Sequence, residues 1–252
     1  KTSEEIFEIL KTDFRLSDAK INLLKEIVAR QLLVIPDLDE LGKEISIYIG
    51  VPFCPTMCAY CTFPAYAIQS NRKAGRVEKF IDGLHIELRE MGKWLTEKNM
   101  RITSIYWGGG TPTSIEADEM DALYQTMFDS FPNPESIREI TVEAGRPDTI
   151  TPEKIEVLKK WGIDRISVNP QSYTQETLKA IGRHHTVEET VEKFWLSREM
   201  GMNNINMDLI IGLPNEGIEE FQHSLDESAK MQPESLTVHT LSFKRASEMT
   251  RN

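Results

Sequence analysis

The chain has 252 residues, 40% hydrophobic and 27% charged, which is ample for one barrel or one large α/β domain with a real core. Its net charge of −11 argues against a general nucleic-acid binder, which carries an excess of Lys and Arg, while leaving room for a local Arg cluster around an anion. The longest apolar runs, such as 32–35, are far too short to cross a bilayer and no signal-peptide pattern opens the chain, so a cytoplasmic protein with no membrane partner is expected.

The first residues read as a helical extension, 1–44. A Ser17/Asp18 cap signal precedes a helix that sets Ile21, Leu24, Ile27 and Val28 on one face, and Pro36 with the acidic stretch behind it closes the segment. From residue 45 strands and helices alternate. Residues 45–51 form a short β-branched strand of the buried kind, and a long charged helix follows over about 73–98. The second strand covers 104–110 and its helix 116–131. The third covers 139–145, with a helix over 152–162. The fourth covers 165–171, followed by helices over 175–182 and 187–201. The fifth covers 204–214, its helix 217–231, and the sixth 235–242. Six strands separated by helices imply parallel pairing with right-handed crossovers, and a closed barrel needs eight such units. The expectation is therefore an α/β fold, an open partial (β/α)6 barrel over 45–252 behind the N-terminal helical extension, with its chemistry at the carboxyl ends of the strands. The chain opens on Lys1 and stops at Asn252 directly after a predicted strand, and is read as a trimmed segment of something longer.

Three cysteines, Cys54, Cys58 and Cys61, fall within eight residues just after the first strand, and the chain has no others. An odd, clustered set does not make a disulfide framework. Thiolates suit iron–sulfur clusters or zinc, but structural zinc takes four protein ligands and no His lies near Cys61. A cubane held by three cysteines leaves one iron open for the amino and carboxylate groups of a small molecule. Iron–sulfur is the preferred reading, with zinc and unligated core cysteines as alternatives.

The later strand ends carry unusual polar residues. The glycines of 108–110 make either a tight turn or a close backbone approach to a ligand. Glu143 closes the third strand, where an unpaired carboxylate is costly, and a ligand ammonium or a structural ion pair would each satisfy it. Gln171 offers both a donor and an acceptor, and Asp208 is a charge in mid-strand that packing does not explain. Arg183 either forks a carboxylate or lies on the surface at a helix end. His184 and His185 read as surface or capping residues.

C-x3-C-x2-C with an aromatic before the third Cys is the signature of the radical S-adenosylmethionine superfamily, which this chain resembles from about Ile45 to Ser242. Together, the sequences of 48–63, 107–113, 142–151, 182–186 and 207–214 resemble the oxygen-independent coproporphyrinogen III oxidase (dehydrogenase) group. Residues 143–151 and 167–171 are most similar to its HemZ-type branch. The resemblance implies a 4Fe–4S cluster on Cys54, Cys58 and Cys61. It also implies S-adenosylmethionine contacts from Tyr48, Tyr60, Gly109, Gly110, Thr111, Glu143, Gln171, Arg183, Asp208 and Ser242, divided in the family between two cofactor molecules. The implied reaction is reductive cleavage of S-adenosylmethionine to a 5′-deoxyadenosyl radical, which abstracts hydrogen from propionate side chains of coproporphyrinogen III and leads to vinyl groups. Implied partners are a porphyrinogen or heme and an external electron donor such as flavodoxin or ferredoxin, acting on a monomer. A heme chaperone and another radical enzyme, such as a methyltransferase, are the rival readings. Two departures stand out: Asn169-Pro170-Gln171 replaces the family's GVQ turn, and Phe63 stands where one branch has a further Cys.

Overall fold

The computed structural model describes residues 2–38, 42–242, 245 and 247–250. The chain divides into two compact units, 1–43 and 44–252. The first holds α1 (Ser3–Thr12) and α2 (Asp18–Val34). Ser17 caps α2 as its sequence implies, its hydroxyl accepting from the Lys20 N–H. The sequence reading passed over α1, although Thr2 and Glu5 form a reciprocal capping box at its start. Of the face expected on α2, Ile21 alone is buried, while Ile27 and Val28 remain exposed.

The second unit is built on one parallel sheet in the order β1-β4-β5-β6-β7-β8: β1 (Glu44–Val51), β4 (Arg101–Gly109), β5 (Glu139–Glu143), β6 (Arg165–Ser167), β7 (Ile205–Ile211) and β8 (Ser235–Thr240). Among the described residues β1 and β8 are its two edges, so the sheet is an open partial barrel. A two-residue pairing of β2 (Phe53–Cys54) with β3 (Tyr66–Ala67) closes the cysteine loop and was not foreseen. Helices α3 (Ile68–Lys73), α4 (Arg76–Lys98), α5 (Ala117–Ser130), α6 (Pro152–Lys160), α7 (Gln175–Ala180), α8 (Val187–Glu199) and α9 (Ile218–Met231) make the crossovers. The long helix expected over about 73–98 is α4, and the short α3 ahead of it, separated by Ala74 and Gly75, was not foreseen. No helix among the described residues is long and apolar enough to cross a membrane.

In β1 the side chains alternate, Ser46 and Tyr48 exposed between less exposed Ile residues, and this corrects the reading of the first strand as buried. Ile49 and Val51, Ile105 and Trp107, Ile140 and Val142, Met207 and Leu209 face the helices in one core, where Trp107 meets Tyr124 edge-on at 4.9 Å. Each such aliphatic side chain contributes about 1.5–3 kcal/mol by leaving water. The opposite, concave face carries Ser46, Tyr48, Ser104, Tyr106, Glu143, Asn206, Asp208 and Thr237 in neighbouring registers. A closed barrel fills its interior with branched apolar residues. Here the interior is polar, so the fold has no reason to close on itself.

The fourth strand is the largest departure from expectation. It ends at Ser167 rather than Gln171, because Pro170 has no N–H to give the ladder and restricts the residue before it. The chain rejoins the sheet at one bridge: Gln171 donates its N–H to the Asp208 carbonyl (2.9 Å) and accepts from the Ile210 N–H (3.0 Å). To do so Gln171 takes φ +65°, a left-handed conformation that costs a non-glycine residue about 1–3 kcal/mol. The fifth and sixth strands are also shorter than read, ending at Ile211 and Thr240.

Candidate functional site

At the carboxyl ends of the strands lie two adjoining cavities. The first, of about 150 Å³, is lined by Cys54, Cys58, Cys61, Tyr60, Gly109, Gly110, Thr111, Glu143, Gln171 and Arg183, together with Arg146 and Asn169. The second, of about 500 Å³, is lined by Tyr60, Cys61, Gln171, Asp208 and Ser242, with Phe63 and His239. They share Tyr60, Cys61 and Gln171, and together they reach the roughly 300–1,000 Å³ of small-molecule sites. Of the cysteines and the residues given cofactor contacts by the resemblance, all but Tyr48 line one or both. Tyr48 sits in mid-strand on the concave face, stacked on Tyr106 at 5.9 Å.

Each sulfur has its own polar neighbour. Cys54 Sγ lies 3.5 Å from the Thr111 hydroxyl, Cys58 Sγ accepts from Arg146 Nη1 at 3.6 Å, and Cys61 Sγ accepts from the Phe63 N–H at 3.4 Å. Burial pushes the Cys54 thiol up, opposed by its contact with Thr111. The loop is pinned from below by Thr56, whose hydroxyl donates to the Gly182 carbonyl (2.9 Å) and accepts from Arg146 Nη2 (2.8 Å).

The glycines after β4 are required by close approach. A Cβ on Gly110 would meet the Phe53 carbonyl oxygen at 2.6 Å and Cys54 Sγ at 3.0 Å, and Gly109 holds φ +110° against Val51. The turn beyond them is fixed by Lys154 Nζ donating to the Thr113 carbonyl (2.7 Å) and by the Thr113–Thr149 hydroxyl pair (2.7 Å).

Arg183 is buried, not a surface residue. Its Nη1 donates to the carbonyls of Asn169 (2.6 Å) and Gly145 (3.3 Å), its charge is favoured by the nearby Cys58 and Tyr60 side chains, and its Nε has no partner among the described residues. Asn169 Oδ1 and Gln171 Oε1 are likewise buried and unpartnered. Orphaned polar atoms converging on one cavity are what a polar ligand would satisfy. Glu143 accepts from the Tyr106 hydroxyl at 2.6 Å. Burial holds its carboxyl above the usual range, with Tyr106 working the other way and Asp208 adding to the rise. Asp208 is not isolated: Asn206 Nδ2 donates to it at 2.6 Å and His239 Nε2 stands 3.8 Å away.

Sequence reasoning missed Arg146, 2% exposed beside Cys58, because an Arg after a strand end looks like any surface residue. It also misplaced His185. His184 is exposed as expected, but His185 is buried, with neither ring nitrogen partnered among the described residues. Burial and the nearby Arg183 and Arg146 lower His185 to about 3, which keeps it neutral.

Three thiols round one cavity, a glycine cradle against Cys54 and unpartnered donors and acceptors opposite them fit a cluster with an amino-acid ligand on its open iron. Among the described residues no three His, Cys, Asp or Glu side chains close on a single ion. Comparison with known proteins agrees with this chemistry. Residues 48–227 match the family description "Radical SAM superfamily". The chain is 66% identical over 251 residues to the oxygen-independent coproporphyrinogen-III oxidase-like protein HemZ of Bacillus subtilis strain 168, covering 100% of this chain and 50% of that protein. It is 31% identical over 196 residues to the heme chaperone HemW of the same organism, covering 78% of this chain and 50% of the relative. The fold superposes on coproporphyrinogen III oxidase HemN from Escherichia coli with a TM-score of 0.73 at 24% identity, covering 83% of this chain and 47% of that one. The chain thus spans about half the length of the curated relatives it matches. On the extent of the family match, with the cysteine motif at the mouth of an open parallel barrel, the chain belongs to the radical SAM superfamily, which implies a 4Fe–4S cluster and S-adenosylmethionine.

Proposed function

We propose that this chain is the radical-generating domain of an enzyme that oxidatively decarboxylates propionate side chains of coproporphyrinogen III to vinyl groups. The observation that carries this is the 66% identity, over the whole chain, to a protein named as coproporphyrinogen oxidase-like. When bound, a 4Fe–4S cluster with S-adenosylmethionine supplies one-electron cleavage of the sulfonium and hydrogen-atom abstraction. Cys54, Cys58 and Cys61 would hold the cluster. The unpartnered Nε of Arg183 offers a donor to the methionine carboxylate, and the Gly109 and Gly110 backbone and Glu143 offer acceptors to the ammonium. Gln171 and Asp208 can take ribose hydroxyls. In the same reading the second cavity, with Asp208 and Ser242, takes a second S-adenosylmethionine, and a flavodoxin or ferredoxin supplies the electrons. Loss of a hydrogen atom, carbon dioxide and one further electron turns each propionate into a vinyl group.

Similarity to HemW supports a second reading, a heme-carrying protein on the same fold. One anaerobic assay separates them: reconstituted protein, reductant, S-adenosylmethionine and coproporphyrinogen III, with products read by mass spectrometry. Decarboxylation requires vinyl product coupled to 5′-deoxyadenosine. Stoichiometric heme binding with no vinyl product sinks the first reading in favour of the second.

A further inference from the structure

Arg146 and Arg183 both approach Cys58, but their nitrogens are used differently. Arg183 keeps Nε without a partner, open to a ligand. Every nitrogen of Arg146 is engaged: Nε with Asp148 Oδ1 at 3.3 Å, Nη1 with the Thr56 carbonyl at 3.2 Å and Cys58 Sγ at 3.6 Å, and Nη2 with the Thr56 hydroxyl at 2.8 Å. Against a free Nε on Arg183, four of the five N–H donors of Arg146 are thus taken up by the protein. It is also 2% exposed, and a guanidinium is rarely buried so fully unless it is paired. Its one carboxylate, Asp148, meets only Nε and its side chain keeps 23% of its exposure. Of its other partners, Cys58 Sγ is the one that can carry negative charge.

Resting on the assignment of Cys54, Cys58 and Cys61 as cluster ligands, we propose that Arg146 is a positioning residue that holds the Thr56–Cys58 loop and raises the cluster's reduction potential through its buried charge and N–H···S contact at Cys58. Reduction adds one electron to the cluster, drawn from an external one-electron donor, and so adds one negative charge beside this guanidinium. A fixed cation and hydrogen bonds to ligand sulfur stabilise the reduced form over the oxidised one. His185, neutral between the two arginines, adds nothing to that charge.

The test is an EPR-monitored dithionite titration of reconstituted protein without S-adenosylmethionine, so activity is not the readout. Arg146→Gln should shift the reduced-to-oxidised ratio at fixed ambient potential about tenfold toward oxidised, ~59 mV for one electron. Arg146→Lys should keep most of the wild-type potential, and Thr56→Val, which loosens the loop without touching the charge, should leave it in place. Asp148→Asn should move the ratio several-fold the other way. An unchanged potential in cluster-loaded Arg146→Gln overturns the proposal, as does a drop in Arg146→Lys or Thr56→Val equal to that of Arg146→Gln. Should Arg146→Gln hold no cluster, Asp148→Asn decides: an unchanged potential there overturns the proposal too. A wild-type protein that forms no cubane by absorbance and EPR would instead refute the ligand assignment beneath it.

Discussion

The two cavities at the strand ends share a wall of Tyr60, Cys61 and Gln171, yet their chemistry is opposite. The smaller holds two buried guanidiniums, Arg146 and Arg183, and a carboxyl at Glu143 that burial pushes toward its neutral form. The larger has Asp208, His239 and hydroxyls, with no Lys or Arg among its described lining residues. A cationic recess suits thiolates and a ligand carboxylate, while an open acceptor-rich one suits hydroxyls or a positively charged group. The difference teaches that the cysteine motif alone does not define the site. The cationic character of the smaller cavity comes from Arg146 and Arg183, more than eighty residues downstream in the sequence.

The largest effect should come from removing the anion itself. Cys58→Ala is expected to abolish the brown chromophore and all S-adenosylmethionine cleavage, read by absorbance and 5′-deoxyadenosine formation. A fully active variant would break the comparison at its root, since the two arginines would then face no cluster.

Next in size is Arg183→Met. Truncating one partner of a buried, hydrogen-bonded charged contact costs about 2–5 kcal/mol, so S-adenosylmethionine should bind roughly 30- to several thousand-fold more weakly to cluster-loaded protein. Anaerobic equilibrium dialysis measures this. If affinity is unchanged while only thermal stability falls, Arg183 serves the Asn169 and Gly145 carbonyls and not a ligand.

Much of this contrast was legible in the sequence, and the reasons for the rest are physical. Alternating strands and helices gave the open barrel, and the cysteine spacing with the 107–113 and 207–214 motifs placed most of the residues that line both cavities. The polar interior was also written in the alternation of 45–51 and 204–210, but in 45–51 the β-branched content was read as burial. Gln171 was singled out and lines both cavities, whereas its strain was not foreseen: a left-handed φ arises from how Pro170 breaks the strand, a three-dimensional consequence. Arg146 and His185 were missed because burial of an ordinary loop residue depends on contacts made across more than eighty and ten residues of chain respectively, through Thr56 and Gln175.

The second cavity is tested by Asp208→Asn. A hydrogen bond to a charged group is worth about 1.5–3 kcal/mol, so a ligand held there should weaken on the order of tenfold or more while the first site changes little. On the two-cofactor reading, binding stoichiometry at moderate S-adenosylmethionine falls from two to one. Equal weakening of a single site would merge the two cavities into one.

The smallest and most discriminating change is Glu143→Gln. Burial raises this carboxyl above its ordinary 4.5, so its contribution to folding is fully present below that value and is lost as pH rises through the folded-state value. In ligand-free protein the variant should therefore be more stable than wild type at pH 8, by about 1 kcal/mol or roughly 2–4 °C, and indistinguishable at pH 4. Ligand binding reverses the preference. An ammonium beside Glu143 favours the ionised carboxylate, so binding would release a proton and wild-type affinity should climb a few-fold as pH rises through the folded-state value. The glutamine, which still accepts from Tyr106, cannot show that climb. An equal pH slope in both proteins would remove Glu143 from the ligand and leave it bonded to Tyr106 alone, making the first cavity purely a site for anions.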